Sequence, residues 1–151
     1  MNRGISFTVE QQIGDVLFEV LKRIGASDYW WHVVQSQTEA MDEGFENDIF
    51  THDYYDGKEL LNCNFHNSCI VFLKLEAYAK KCFPTTISNY ADFKTCDCRI
   101  LVLVYDCYNA EIYVKNSNLL QSISVYLQNH GGCRFQIITD DNDFRTQMNV
   151  I

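Results

Sequence analysis

Residues 100–105 read Ile-Leu-Val-Leu-Val-Tyr, the densest apolar run in the chain. Short and rich in β-branched residues, the run predicts a central strand covered on both faces. The elements on either side must therefore supply two apolar layers. Asp106-Cys107-Tyr108-Asn109 follows as a turn, and 110–115 reads as a shorter strand, so the two segments predict a hairpin.

The remaining periodicities fill in the layers. Gly4 to Val9 alternates apolar and polar residues, the pattern of a strand with one buried face. Ile13, Val16, Leu17, Val20, Leu21 and Ile24 recur at helical spacing and predict an amphipathic helix over about 10–25, stopped by Gly25. Tyr29 to Gln35 and Cys69 to Tyr78 read as strands. Asp56-Gly57-Lys58-Glu59 has capping-box spacing for a short helix, and Ser88 is placed to cap another over 89–95. Ser117 opens a second amphipathic helix, 117–130, carried by Leu119, Leu120, Ile123, Tyr126 and Leu127 and ended by Gly131-Gly132. Cys133 to Thr139 reads as a strand, and 148–151 as a short final one. The acidic stretch 36–55 has no clean period and reads as a loop, with a short strand at 48–51. Strands outnumber helices and a hairpin breaks any βαβ rhythm. The expectation is an α+β single domain over 1–151, with a mixed or mostly antiparallel sheet and two main helices packed against it.

Composition limits function more than it defines it. Twelve Lys and Arg against 20 Asp and Glu leave a formal charge of −8. Phosphate affinity rests on cationic side chains, so a nucleic-acid partner is not expected, nor is docking on an anionic membrane. A basic protein surface fits the charge better. No secretory signal and no spanning segment is visible, which makes the cytoplasm the expected location. There the odd set of seven cysteines would be reduced thiols.

Motifs with chemistry are few. Cys63-x-x-His66-x-x-Cys69 has ligand types and spacing that zinc accepts. A structural zinc site needs a fourth ligand, for which Cys82, Cys96 or Cys98 is available, but strong zinc signals come as two paired clusters and the sequence has one, so these thiols read as small buried hydrophobes and no cofactor is expected. Cys96-x-Cys98 lacks the spacing of a thioredoxin-type redox pair. His32, His52, His66 and His130 stand in no nucleophile elbow and no HExxH motif, and there is no phosphate-binding glycine loop. In Trp30-Trp31 and Tyr54-Tyr55, strand alternation buries one ring of each pair and leaves the other more exposed, a usable interface anchor.

The polar end is the most unusual segment. Ile137-Ile138-Thr139 runs into Asp140-Asp141-Asn142-Asp143-Phe144-Arg145-Thr146. Counted from Asp140, the sixth and twelfth positions of a calcium loop are Arg145 and Ile151, where glycine and glutamate are required, so that motif fails. The simpler reading is a turn whose Asp and Asn side chains bond to local amides, with Arg145 paired to a carboxylate. Together with Arg3-Gly4-Ile5-Ser6-Phe7, the Leu101 to Asp106 core and Ile112 to Lys115, this ending resembles a family of small proteins from Bacillus-type spore formers catalogued as a domain of unknown function, DUF2691. The resemblance implies a small bacterial protein and brings no catalytic residues.

Two functions are therefore expected. The preferred one is a non-catalytic protein-binding or inhibitory module, of immunity or regulatory type, with Trp31, Asp140, Asp143 and Arg145 as binding candidates and the acidic segment Glu39 to Asp53 as added surface. The alternative is a small enzyme or ligand-binding domain with its site around Asp140–Arg145, where an arginine orients an anion and an aspartate acts as base.

Overall fold

The computed structural model describes residues 1–40, 49–66 and 68–151. Its framework is one seven-stranded sheet: β1 (Asn2–Val9), β2 (Trp30–Ala40), β3 (Tyr54–Asp56), β4 (Ser68–Tyr78), β5 (Ile100–Tyr105), β6 (Asn109–Val114) and β7 (Cys133–Thr139). The spatial order is β3-β2-β4-β5-β6-β1-β7, and every pairing among the described residues is antiparallel. Of the two sheet types expected, the mixed one is excluded for these residues. The apolar run sits at the middle of the order, and Ile100 to Val104 are all 0% exposed. A strand in that place has no solvent face, so its alternation disappears.

Among the described residues four α-helices accompany the sheet: α1 (Ile13–Arg23), α2 (Gly57–Leu61), α3 (Tyr90–Thr95) and α4 (Asn118–Asn129). α1 and α4 share one face. Their Val16, Leu17, Val20 and Leu21, and Leu120, Ile123 and Leu127, form one core with Ile5, Val102 and Leu75 of the strands. Gly25 adopts φ 74° just past α1, the left-handed turn that releases the chain from a helix without a Cβ penalty. The opposite face is covered differently. Phe93 of α3, Ile87 of the loop before it and Met148 of the C-terminal tail pack on Leu101, Leu103, Tyr113 and Ile138.

Several local expectations change. β2 continues to Ala40, because its polar half pairs with Ser68 to Phe72 of β4. Asn89, not Ser88, caps α3: its Oδ1 accepts from the Asp92 amide at 2.9 Å. Residues 148–151 form no strand, and neither do 49–51. The acidic stretch 41–48, with most of the extra surface expected there, lies outside the described residues. Asp56 caps α2 with the full reciprocal box. No helix among the described residues is long and apolar enough to cross a membrane.

Candidate functional site

The polar ending folds back across the second face of the sheet. Asn142 starts it by imitating a strand. Its Nδ2 donates to the Ile137 carbonyl (2.9 Å) and its Oδ1 accepts from the Thr139 amide (2.7 Å). These two backbone groups therefore point away from β1, and Asn142 closes the end of the sheet edge.

Asp143 then drops into the fold; only 3% of its side chain is exposed. It accepts from the Tyr113 hydroxyl (3.2 Å), the Arg3 guanidinium (3.1 Å) and the Arg145 amide (3.2 Å). The ladder explains why these residues meet. β1 lies between β6 and β7, so Gly4 faces Tyr113 on one side and Ile138 on the other. Arg3 also reaches Asp140 (2.9 Å) and lies 4.0 Å over the Tyr90 ring. Its bond to Asp140 raises the guanidinium further and holds the Asp140 carboxyl below the usual carboxylate range. Burial pushes the Tyr113 hydroxyl far up, which keeps it a donor.

Arg145 turns the other way. Its Nε donates to Glu111 on β6, and its Nη1 to the carbonyls of Gln147 (3.2 Å) and Asn149 (2.8 Å). Burial raises Glu111 above its ordinary value, and Arg145 opposes that rise. Asp143 and Arg145 both wall an open cleft of about 520 Å³, shared with Ser6, Gln136, Phe144 and Asn149. Its charged groups are already paired, Glu111 with Arg145 and Asp143 with Arg3 from outside the lining, and the rest of the lining includes the amides and hydroxyls of Ser6, Gln136, Thr146 and Asn149. Such a cleft can accept hydrogen bonds from a neutral polar chain. The arginine and the aspartate expected together do line one cleft, and both carboxylates of its lining carry hydrogen bonds: Asp143 from Arg3, Tyr113 and the Arg145 amide, and Glu111 from the Arg145 guanidinium.

Trp31 has to be corrected as a surface candidate. It is 0% exposed, and its Nε1 donates to the Ala26 carbonyl at 2.9 Å. The alternation rule holds, but the ring nearer the surface is Trp30, stacked on Tyr54 at 4.8 Å. His32 stacks on the other side of Tyr54 at 4.7 Å. Tyr54 is exposed, whereas Tyr55 is buried.

The metal candidates separate. Cys63 gives its S–H to Glu59, His66 bonds Asp15 at 2.6 Å, and Cys69 lies against Cys107. Burial pushes the Cys63 and Cys69 thiols up to about 11. Among the described residues no three His, Cys, Asp or Glu side chains converge as metal ligands.

Some polar residues were not singled out from the sequence. Arg3, Glu111 and Tyr113 sit in strands whose partners only the sheet order reveals. Lys74 and Glu76 were more accessible to reasoning: two charges spaced by two in an otherwise apolar strand must share a buried face. Lys74 donates to the Ile87 carbonyl (2.7 Å), and Glu76 accepts from Tyr78 (2.8 Å) and contacts His32 (3.3 Å).

Comparison with known proteins gives a consistent picture. The family described as "Protein of unknown function (DUF2691)" matches residues 2–149. A Bacillus subtilis (strain 168) protein named "Uncharacterized protein YncE" is 28% identical over 155 residues, spanning 99% of this chain and 100% of its own length. No solved structure matches.

Proposed function

The chain belongs to the DUF2691 family, and from its open sheet edge we propose that it acts as a non-catalytic protein-binding module of inhibitory or regulatory kind, working in the cytoplasm. The partner would lay an extended segment along β7. The observation that carries this reading is the outer side of β7. Among the described residues no strand pairs there. Asn142 occupies the Ile137 carbonyl and Thr139 amide, and strand alternation puts the Phe135 N–H and C=O on the same open side. Unpaired strand edges are templates for a further strand. The polar cleft at the end of that edge can seat a partner side chain, and Phe144, 87% exposed, flanks it. In this reading Asp140, Asp143 and Arg145 shape the docking edge. The formal charge of −8 favours a basic partner by speeding association.

Phe135→Pro tests the reading. Proline removes the outward N–H and leaves the bonds to β1, because Phe135 is not directed at that strand. Affinity capture with the wild-type chain should recover a protein that the variant loses, and that protein should protect the Phe135 and Ile137 amides from hydrogen exchange. Capture that the variant retains, or no captured protein across growth states, would overturn it.

The cleft favours a second reading, a site for a small, uncharged, polar ligand. Arg145→Ala separates the two. Strand addition, carried mainly by the Phe135 backbone, should weaken but remain measurable in a folded variant, whereas affinity for a ligand seated wholly in the cleft should vanish.

A further inference from the structure

His130 Nδ1 and Cys133 Sγ lie 3.3 Å apart, on either side of the Gly131-Gly132 turn that joins α4 to β7. Gly132 takes φ 84° there, which lets the chain double back and bring the two side chains together. Other thiols are placed differently. Cys63, Cys96 and Cys98 give their S–H to the backbone carbonyls of Glu59, Phe93 and Ile100. A carbonyl accepts a hydrogen bond but not a proton, whereas an imidazole accepts both. Burial and Glu10 push the Cys133 thiol up, so near neutrality it is protonated and needs a base to react. In the tautomer that carries its proton on Nε2, His130 Nδ1 is placed to accept the thiol proton.

His130 also walls a cavity of about 200 Å³, with Glu10, Gln12, Asp15, Gly131 and Gly132. The acidic groups of its lining are Glu10 and Asp15, and no Lys or Arg lines it. Asp15 holds His66, and Arg23 lies 4.3 Å over Tyr126, whose ring centre is 5.5 Å from that of His130. Cys133 does not line this cavity; it adjoins it through its contact with His130. Glu10 Oε2 lies 3.4 Å from where a Cβ on Gly132 would stand, which puts negative charge beside the turn that carries the thiol and its base.

We propose that Cys133 is a thiol–disulfide exchange site, activated by His130, for small disulfides that carry an ammonium group. The Cys133 S–H proton passes to His130 Nδ1, and Sγ attacks one sulfur of the disulfide. The old S–S bond breaks, a new one forms to Cys133, and the leaving thiolate takes the proton from His130. The disulfide is the oxidant, so electrons and protons balance. The site is independent of strand addition at β7.

Cystamine, hydroxyethyl disulfide and the doubly anionic Ellman reagent test it on the wild-type chain. Each rate is divided by that of mercaptoethanol with the same reagent. Peptide mapping should place the first cystamine adduct on Cys133, and the normalised rates should fall from cationic to neutral to anionic. His130→Gln should slow the cystamine reaction about tenfold, the change in thiolate fraction that one pKa unit brings. Glu10→Gln should narrow the cationic-to-anionic ratio about fivefold, the scale of one charge acting across several ångströms of water. A first adduct on another cysteine overturns the proposal. So does a normalised rate blind to reagent charge, or a folded His130→Gln chain reacting as fast as wild type.

Discussion

Asp143 is the residue on which the polar ending depends. Removing this buried carboxylate leaves the Tyr113 hydroxyl without its acceptor and Arg3 with Asp140 as its one remaining carboxylate. Asp143→Ala should cost about 3 kcal/mol, as breaking a buried ion pair does, read as a lower denaturation midpoint at unchanged m-value. Arg145→Ala should cost a similar amount at neutral pH, with a dependence that identifies the cause. Burial already holds the folded Glu111 above its unfolded value, and losing Arg145 raises it further. A carboxyl raised by folding binds more protons in the native state, so its contribution is fully present below the unfolded value near 4.5 and is lost as pH rises through the folded one. The destabilisation of Arg145→Ala should therefore shrink from pH 8 toward pH 5, in urea melts at each pH. A pH-independent loss would mean that the carbonyls of Gln147 and Asn149, not Glu111, are what Arg145 holds. The sequence suggested that Arg145 pairs with a carboxylate, but the nearby aspartates were the visible candidates. Glu111 is 34 residues away, and only the β1–β6 pairing and the returning tail bring it within reach.

At the scale of elements, pattern and packing gave different amounts of information. Helix α1 was legible because its apolar stripe is complete, and α2 because Asp56 and Glu59 have the capping-box spacing. The second half of β2 was not, since Ser36 to Ala40 has neither alternation nor β-branched density; its state is decided by β4 alongside it. Trp31 was misread as a surface anchor for the same reason: alternation says that one ring of the pair is buried, but choosing which one needs the sheet. Gly14 shows packing reversing local preference. In an exposed helix, alanine in place of glycine would stabilise by about 1 kcal/mol. Here a Cβ would stand 2.1 Å from the Phe65 carbonyl oxygen, so α1 must move off the backbone it rests on. Gly14→Ala should instead destabilise by about 2 kcal/mol, the range of overpacked cores. Thermal melts of the single variant give the sign, and an increase in stability would mean that α1 is held less closely than its contact with Phe65 implies.

Across the whole molecule, the two sheet faces are covered by unequal means. One carries two full amphipathic helices; the other is closed by short α3, the loop before it and the tail. The apolar run at 100–105 demanded both covers, but the sequence identified only the first, because a cover made of single inserted residues such as Ile87 and Met148 has no period. That difference predicts where the fold is weakest. Ending the chain after Phe144 would keep Asp143 in place but remove Met148, which is 1% exposed, and leave Glu111 without Arg145. Losing the methionine should cost about 3 kcal/mol by analogy with core truncations, and stranding Glu111 about 3 more. Domains of this size have about 5–15 kcal/mol in all, so the shortened chain should lose a large part of its stability. Because the helix-covered face is untouched, the expected product keeps its far-ultraviolet circular dichroism, loses the near-ultraviolet signal of Tyr113 and its neighbours, and binds a hydrophobic dye. A shortened chain that melts cooperatively within a few degrees of the full one would show that the loop and α3 close the second face alone, and that the tail serves only the edge of β7.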